Sequence, residues 1–262
     1  MDNIIDYLKA CLKPKDQTEF YQCQSFDPLI FSQMKQDAIM ITESPPPDFL
    51  LMCEFVKIGQ HYIIKKCFRD LAWLNQDGTF EWDTSQEPLY RRLLPPPDES
   101  VNHPLIISNV IKESKPSEKT YIEYGVRSGT TLKAVAPLVS KTFGVDIQEN
   151  PYGVPSNCSF YKTFTNDFST QILPTLQYQF AFVDADHKFE SAFQDFQHLY
   201  RYIQPGGYVF LHDTYPCEER FLDPGACNDC YKTPLAIKKE YPGIEILTLP
   251  LNPGVSIVRK CS

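Results

Sequence analysis

The stretch Tyr121–Thr131, YIEYGVRSGTT, constrains the fold more than any other part of this chain. Residues 115–120 ahead of it are polar and include Pro116, so they read as a loop. Tyr121–Tyr124 reads as a short strand, and Gly125 and Gly129 bracket a tight turn. Thr130–Val139 follows as a helical pattern with Leu132, Val135 and Leu138 on one side. A strand, a glycine turn and a helix in succession let the backbone approach a ligand closely. Unpaired amides at the helix start favour a polar or anionic group. The spacing Glu123-x-Gly125-x-x-x-Gly129 is not the Gly-x-Gly-x-x-Gly dinucleotide fingerprint, because Arg127 stands at the second glycine position. It is not a P-loop, because no Gly-Lys-Ser/Thr follows. Glu123 at the strand end suits a ligand with a positive amino group and would repel a diphosphate.

Downstream, strands and helices alternate. Strands are expected at Tyr121–Tyr124, Lys141–Asp146, Ser159–Thr163, Phe180–Asp184 and Tyr208–His212, with helices over Thr130–Val139 and Phe189–Ile203. This order specifies an α/β fold with a mostly parallel, Rossmann-like sheet. Ligands of such sheets bind beyond the carboxyl ends of the strands, where Glu123, Asp146, Asp167, Asp184, His212 and Asp213 fall. Ile244–Leu249 and Val255–Arg259, joined through Asn252-Pro253-Gly254, predict an antiparallel hairpin at one edge. A short helix is expected at Thr233–Tyr241, and His103–Ser114 reads as the helix that introduces this domain, residues 103–262.

Residues 1–102 read as an irregular N-terminal extension. Ile4, Ile5, Leu8 and Leu12 have helical spacing, and triple prolines stand at 45–47 and 95–97. Phe49–Val56 is apolar but too short to assign, and Leu71–Leu74 with Thr79–Trp82 suggests a small hairpin. Such an extension is a cap over an active site or a dimerisation arm, which leaves a homo-oligomer open. The net charge of −8 offers no basic excess for nucleic acid. No apolar run is long enough for a membrane span, and the N-terminus is unlike a signal peptide, so a cytoplasmic protein without a membrane partner is expected. Nine cysteines, an odd number, fit mostly reduced thiols in an intracellular protein.

Four segments in order, YIEYGVRSGTT, FGVDI, FVDADHKFESAFQDF and QPGGYVFLHDT, resemble the class I S-adenosylmethionine-dependent methyltransferases. They are most similar to the metal-dependent O-methyltransferases that act on sugar hydroxyls of macrolides and related substrates. The resemblance covers roughly residues 119–259 and not the first hundred. It implies that Glu123, Gly125, Ser128 and Gly129 hold the methionine part of the cofactor, S-adenosyl-L-methionine. It further implies that Asp146 accepts hydrogen bonds from both ribose hydroxyls and that Asp167 sits near the adenine amino group. Read without the resemblance, Glu123 is a structural ion-pair partner, and Asp146 and Asp167 are caps of the turns that follow them.

In the resembling enzymes an aspartate ending strand four and an acidic pair ending strand five bind magnesium. A histidine three residues after the first aspartate is the general base. Asp184 and His187 match that spacing, and Asp213 matches the second acid of the pair. His212 stands where the first acid would be, and this departure bears on the metal, because magnesium prefers oxygen and imidazole suits zinc, iron or nickel. Several outcomes stay open. His212 lies outside a magnesium shell made by Asp184 and Asp213, or the metal has changed, or it has been lost. Equally, His212 and Asp213 are only a strand-end hydrogen-bonded pair, and His187 caps the next helix.

The acceptor implied is a small-molecule sugar or glycan, with a catechol or phenol as the alternative and a non-catalytic cofactor-binding module as the third reading. Cys227-Asn-Asp-Cys230 has zinc-knuckle spacing, but Cys217 and Cys261 supply no second close pair. Free thiols on a segment covering the acceptor, with no structural zinc, are therefore expected.

Overall fold

The computed structural model describes residues 20–23, 30–31, 34, 38–45, 53–65, 72–74, 80–82, 102–114, 119–149, 153–216, 219–249 and 253–261. Strands β1 (Phe20–Gln22), β2 (Ile39–Thr42), β3 (Glu54–Ile58), β4 (His61–Lys65), β5 (Ala72–Leu74) and β6 (Phe80–Trp82) come first. Helix α1 (His103–Glu113) leads into β7 (Thr120–Tyr124), α2 (Thr130–Val135), β8 (Lys141–Asp146), β9 (Cys158–Lys162) and α3 (Thr165–Gln171). Then follow β10 (Phe180–Val183), α4 (Phe189–Tyr202), β11 (Tyr208–His212), α5 (Lys232–Glu240), β12 (Glu245–Leu249) and β13 (Val255–Arg259). The helical spacing at residues 2–12, the prolines at 95–97 and Cys217 lie outside the described residues.

The sheet runs β1-β2-β4-β3-β12-β13-β11-β10-β7-β8-β9. From β9 to β11 the strands are parallel, as the alternating sequence predicts. Strands β10 (FAFV) and β11 (YVFLH) are almost continuously apolar because helices cover both faces. Period-two alternation divides the core. Tyr121, Phe180, Phe182 and Phe210 pack with Ile106 and Val110 of α1 and Leu132 of α2. Ile122, Ala181, Val183 and Val209 pack on the other face with Phe168 of α3, Phe196 and Leu199 of α4 and Ile237 of α5. Helix α4 reaches that face through Ala192, Asp195, Phe196 and Leu199, an i, i+3, i+4, i+7 stripe.

Several boundaries differ from the sequence expectation for identifiable reasons. The helix after the glycine turn stops at Val135 and tightens into a 3-10 turn at Ala136–Leu138, where Pro137 lacks an amide hydrogen for an α-helical bond. Helix α3 has no counterpart in the reading, since TNDFSTQ offers Phe168 as its one large apolar anchor. The antiparallel hairpin β12–β13 closes the parallel part of the sheet but is not its outer edge. Strand β3 adds beside β12 through Ile246 and Phe55, and β4, β2 and β1 continue outward. Most of what is described of the first hundred residues is thus strand. In β3 the EFVKI stretch alternates buried and half-buried side chains, a pattern only five residues long. Strands β5 and β6 form the small antiparallel hairpin expected between residues 71 and 82.

The N-terminal strands are tied to the core by buried charge. The Glu54 carboxylate is 2.7 Å from Lys65 and 2.8 Å from Lys238, and it accepts the Thr248 amide at 3.0 Å. Lys65 also donates to the Thr248 carbonyl at 2.8 Å. Among the described residues no helix is long and apolar enough to cross a membrane.

Candidate active site

The order β11-β10-β7-β8-β9 places a topological switch at β7. The chain runs from β7 outward to β9, then crosses back to β10 on the other side. A crevice opens at the carboxyl ends of strands there, and the turn after β7 shapes it. Gly125 has φ +83°, and a Cβ on it would lie 2.0 Å from the carbonyl oxygen of Asp184. Only glycine allows the turn to press against the end of β10. The Gly125 amide donates to Val145 at 2.9 Å, and the Asp184 amide donates to Tyr124 at 2.8 Å. Three strand ends are thereby fixed around one opening.

That opening is a cavity of about 750 Å³, within the range of small-molecule sites. Of the residues expected to bind a cofactor, Glu123, Gly125, Ser128 and Asp146 line it. Gly129 (φ +72°) closes the turn, its amide donating to Val126 at 2.7 Å. Asp167 stands apart. It is exposed in the first turn of α3 and is not among the cavity-lining residues.

Glu123 is buried and accepts the Tyr121 hydroxyl at 2.7 Å. Burial raises its pKa, the Tyr121 bond partly offsets this, Asp184 adds to it, and the result is about 8. An incoming cation is what such a carboxyl lacks. Asp146 is tied by both oxygens, Oδ2 to the Arg127 amide and Oδ1 to the Gln148 amide, each at 2.8 Å. Each oxygen keeps lone-pair capacity for a ligand hydroxyl. Arg127 adopts φ +45° in making its bond, so the turn's strain serves to fix Asp146.

At the ends of β10 and β11 the structure brings together Asp184, His187, His212 and Asp213. His212 Nδ1 lies 3.0 Å from Asp184 Oδ1 and 3.2 Å from Asp213 Oδ1. Asp213 takes φ +57°, uncommon for a residue with a side chain, immediately after the strand. Burial works against charge on His212, but pairing with Asp184 and Asp213 outweighs it and lifts the pKa to about 10. Asp213 is buried, which disfavours its charge, yet the His212 bond and charge hold its carboxyl below the usual value.

The Asp184, His212 and Asp213 ligand atoms all lie within 4.8 Å of one another. Two carboxylate oxygens and one imidazole nitrogen at this spacing fit a divalent cation, which would take the place of the His212 proton.

His187 Nδ1 faces two oxygens, the Ala226 carbonyl and Asp213 Oδ2, the latter at 3.1 Å. Two acceptors call for a hydrogen on Nδ1, and in the tautomer that carries it there Nε2 is a proton acceptor. Nε2 is 3.8 Å from Asp184 Oδ1. The helix cap that His187 could have supplied comes from elsewhere, because the Phe189 amide donates to Asp229 Oδ1 at 2.7 Å.

Residues that sequence reasoning missed complete the walls. His103, at the start of α1, lines the cleft and meets the His212 ring edge-on at 4.4 Å and the Phe182 ring at 5.4 Å. Burial and neighbouring His212 push its pKa down to about 4, so the ring is neutral. Ile147 also lines the cleft and is 58% exposed. An apolar residue directly after a strand-end acid was a legible signal for it. Nothing local in the sequence marks His103, more than eighty residues from His187.

A family model described as a methyltransferase domain matches residues 122–214. The chain is similar in structure to a protein from Corynebacterium glutamicum, with 14% identity, 63% of this chain and 83% of that one covered, and a TM-score of 0.50. It is also similar to a candidate O-methyltransferase from Klebsiella pneumoniae, with 12% identity, 68% and 87% coverage, and a TM-score of 0.51. At these identities the likeness is one of fold. Comparison with curated proteins finds no match in sequence. The glycine turn after β7 and the strand ends around it thus fall in the stretch, residues 122–214, that matches a methyltransferase domain.

Proposed function

We propose that the protein transfers a methyl group from S-adenosyl-L-methionine to a hydroxyl of a small-molecule acceptor, and that the acceptor is a sugar or glycoconjugate. The observation that carries this is the His187 tautomer at the end of the cleft, with Nδ1 held by Ala226 and Asp213 and Nε2 left to accept a proton. The bound cofactor supplies a sulfonium-activated methyl group. Glu123 pairs with its ammonium group, the Gly125–Gly129 turn admits its backbone-close portion, and Asp146 accepts its ribose hydroxyls. His187 Nε2 takes the acceptor proton as the oxygen attacks. Asp184, Asp213 and His212 would hold a divalent cation, whose charge would stabilise the developing alkoxide. A sugar hydroxyl is a much weaker acid than a phenol, whose pKa is about 10. An imidazole base beside a cation site suits the harder deprotonation.

The direct test is incubation with methyl-labelled cofactor against panels of sugars and catechols. Label transfer to an oxygen of a sugar is the expected result. Saturable cofactor binding without transfer to any hydroxyl would favour a non-catalytic module, and no binding at about millimolar cofactor would end the proposal.

Two binding predictions follow from the same residues. Asp146→Ala should weaken cofactor binding by roughly 1–3 kcal/mol, because the ribose hydroxyls lose their acceptor. Calorimetry on folded protein measures this, and an unchanged affinity would detach Asp146 from the ligand.

Glu123 predicts proton linkage. Its folded pKa of about 8 lies above its ordinary 4.5. The ligand-free fold therefore keeps a proton that the unfolded chain releases, and it loses stability as pH rises from 4.5 to about 8. An ammonium ligand requires the ionised form. Binding at about pH 6.5 should release close to one proton, and affinity should rise as pH approaches 8. Titrations in buffers of different ionisation enthalpy would show the release, and Glu123→Gln should abolish it.

A further inference from the structure

The sequence expectation for the segment carrying Cys227 and Cys230 is a cover of free thiols over the acceptor. The structure places that segment elsewhere. Among the described residues none of 221–231 lines the large cleft. Cys227 and Cys230 are buried, and the segment packs on the turn between β10 and α4 that carries His187. Three contacts make this packing. The Ala226 carbonyl faces His187 Nδ1. Asp229 Oδ1 accepts the Phe189 amide, the first of α4, at 2.7 Å. Cys227 Sγ lies 3.5 Å from Asp213 Oδ1, on the carboxylate whose Oδ2 is 3.1 Å from His187 Nδ1. Helix α4 needs a cap from outside, because its own N-cap position is Lys188, which makes no capping bond and whose side chain has only donors. Asp229 is itself held by Lys232 at 3.0 Å. Between Ala226 and Asp229 the chain folds back tightly. The Ala226 amide donates to Asp223 at 2.8 Å, the Cys230 amide donates to Cys227 at 3.2 Å, and Asn228 takes φ +50°. A residue with a side chain keeps such a conformation where surrounding contacts fix it. The Ala226 carbonyl and the Asp229 carboxylate thus belong to one tight turn, and where Asp229 docks sets where Ala226 points.

We propose that Asp229 is a positioning residue for His187: by docking on the first amide of α4 it sets the Ala226 carbonyl against Nδ1 and so selects the ring tautomer whose Nε2 accepts a proton. The partner of one ring nitrogen decides which nitrogen of a neutral imidazole carries the hydrogen. The His187 side chain is 36% exposed, so packing alone does not hold the ring. Without Ala226, Asp213 is the one acceptor left at Nδ1, and the ring is free to turn. The inference deepens the methyl-transfer reading and rests on it for the catalytic consequence, while the tautomer is a property of the protein alone.

The test reads the tautomer first. Ring-nitrogen NMR is run on the full chain with its five histidines isotope-labelled, at a pH where the ring is neutral, and His187→Gln assigns the signal. We expect the Nδ1–H tautomer in the wild type and a mixture of the two in Asp229→Ala. Asp229→Glu is a milder change that keeps the charge and displaces the carboxylate by one methylene. It should shift the tautomer in the same sense, so the result does not hang on the alanine variant folding. Asp229→Asn keeps the acceptor oxygen and should keep the wild-type tautomer. Methyl-labelled cofactor with the sugar panel supplies the kinetic arm. The single-turnover rate of Asp229→Ala should fall about 10–100-fold with acceptor KM and cofactor affinity little changed, and Asp229→Asn should recover most of the loss. A cap that served stability alone would lower the melting temperature by about 2–4 °C and leave the rate of the folded enzyme intact. An Nε2–H ring in the wild type, a tautomer unmoved in both Asp229→Ala and Asp229→Glu, or an Asp229→Asn enzyme as slow as Asp229→Ala would each overturn the proposal. A tautomer that shifts as expected in a protein that transfers no methyl group would leave this positioning standing while the methyl-transfer reading fell.

Discussion

Replacing His187 with alanine is expected to lower single-turnover methyl transfer by roughly 10²–10⁴-fold, or about 3–5 kcal/mol of transition-state stabilisation. The ring is the group at the acceptor end whose Nδ1 is held as a donor by Ala226 and Asp213 while Nε2 remains an acceptor. Cofactor affinity should hardly change, because Glu123 and Asp146 are held by Tyr121 and Arg127 and not by His187. Thermal stability should change little as well, since Asp229 and not His187 caps α4. Added imidazole should restore part of the lost rate, as it can occupy the vacated space and accept the proton. A folded, cofactor-saturated variant with a near-wild-type single-turnover rate would remove His187 from the base role.

The second large effect concerns stability. Glu54→Ala should destabilise the protein by about 3–5 kcal/mol, because it leaves Lys65 charged and unmatched in a buried setting. Replacing Glu54 and Lys65 together by leucine and methionine should recover most of that loss. The recovery would show that the cost comes from the orphaned charge. Burial opposes ionisation of Glu54, but Lys238 and Lys65 outweigh it and hold the pKa at about 2 against an ordinary 4.5. A lowered folded pKa adds stability that is complete above about 4.5 and is lost as pH falls toward 2. Acid unfolding of the wild type should therefore steepen in that window, and the double variant should lack the step. Denaturant titrations across pH measure both. A Glu54→Ala protein within about 1 kcal/mol of wild type would show that the N-terminal strands do not depend on this network.

Much of the parallel sheet was legible because its strands are apolar runs bounded by turns. Tyr208–His212 and Val255–Arg259 match their sequence boundaries, and the alternation of strands with helices implied parallel pairing. What was illegible lacked a local period. Helix α3 has a single large apolar anchor, and β3 is a five-residue alternation inside a longer apolar run. The placement of β3 against β12 depends on Glu54 meeting Lys65, Lys238 and Thr248, contacts that span more than 180 residues in the case of Lys238 and Thr248. No window along the chain can report such pairings.

The same division runs through the site. The sequence by itself determined the glycine turn, the strand-end acids and the Asp184–His187 spacing, because each is a short-range pattern that backbone geometry imposes at a strand-to-helix junction. The tertiary structure alone decided what those groups do to one another. It turned Asp213 through a left-handed conformation onto His212, and it directed the His187 Nδ1 hydrogen at Ala226, thirty-nine residues downstream. It carried Asp229 to the first amide of α4, and it left Asp167 on the surface. The physical reason is that tautomer, charge and donor set depend on distances of about 3 Å between residues far apart in the chain, and only packing sets those distances.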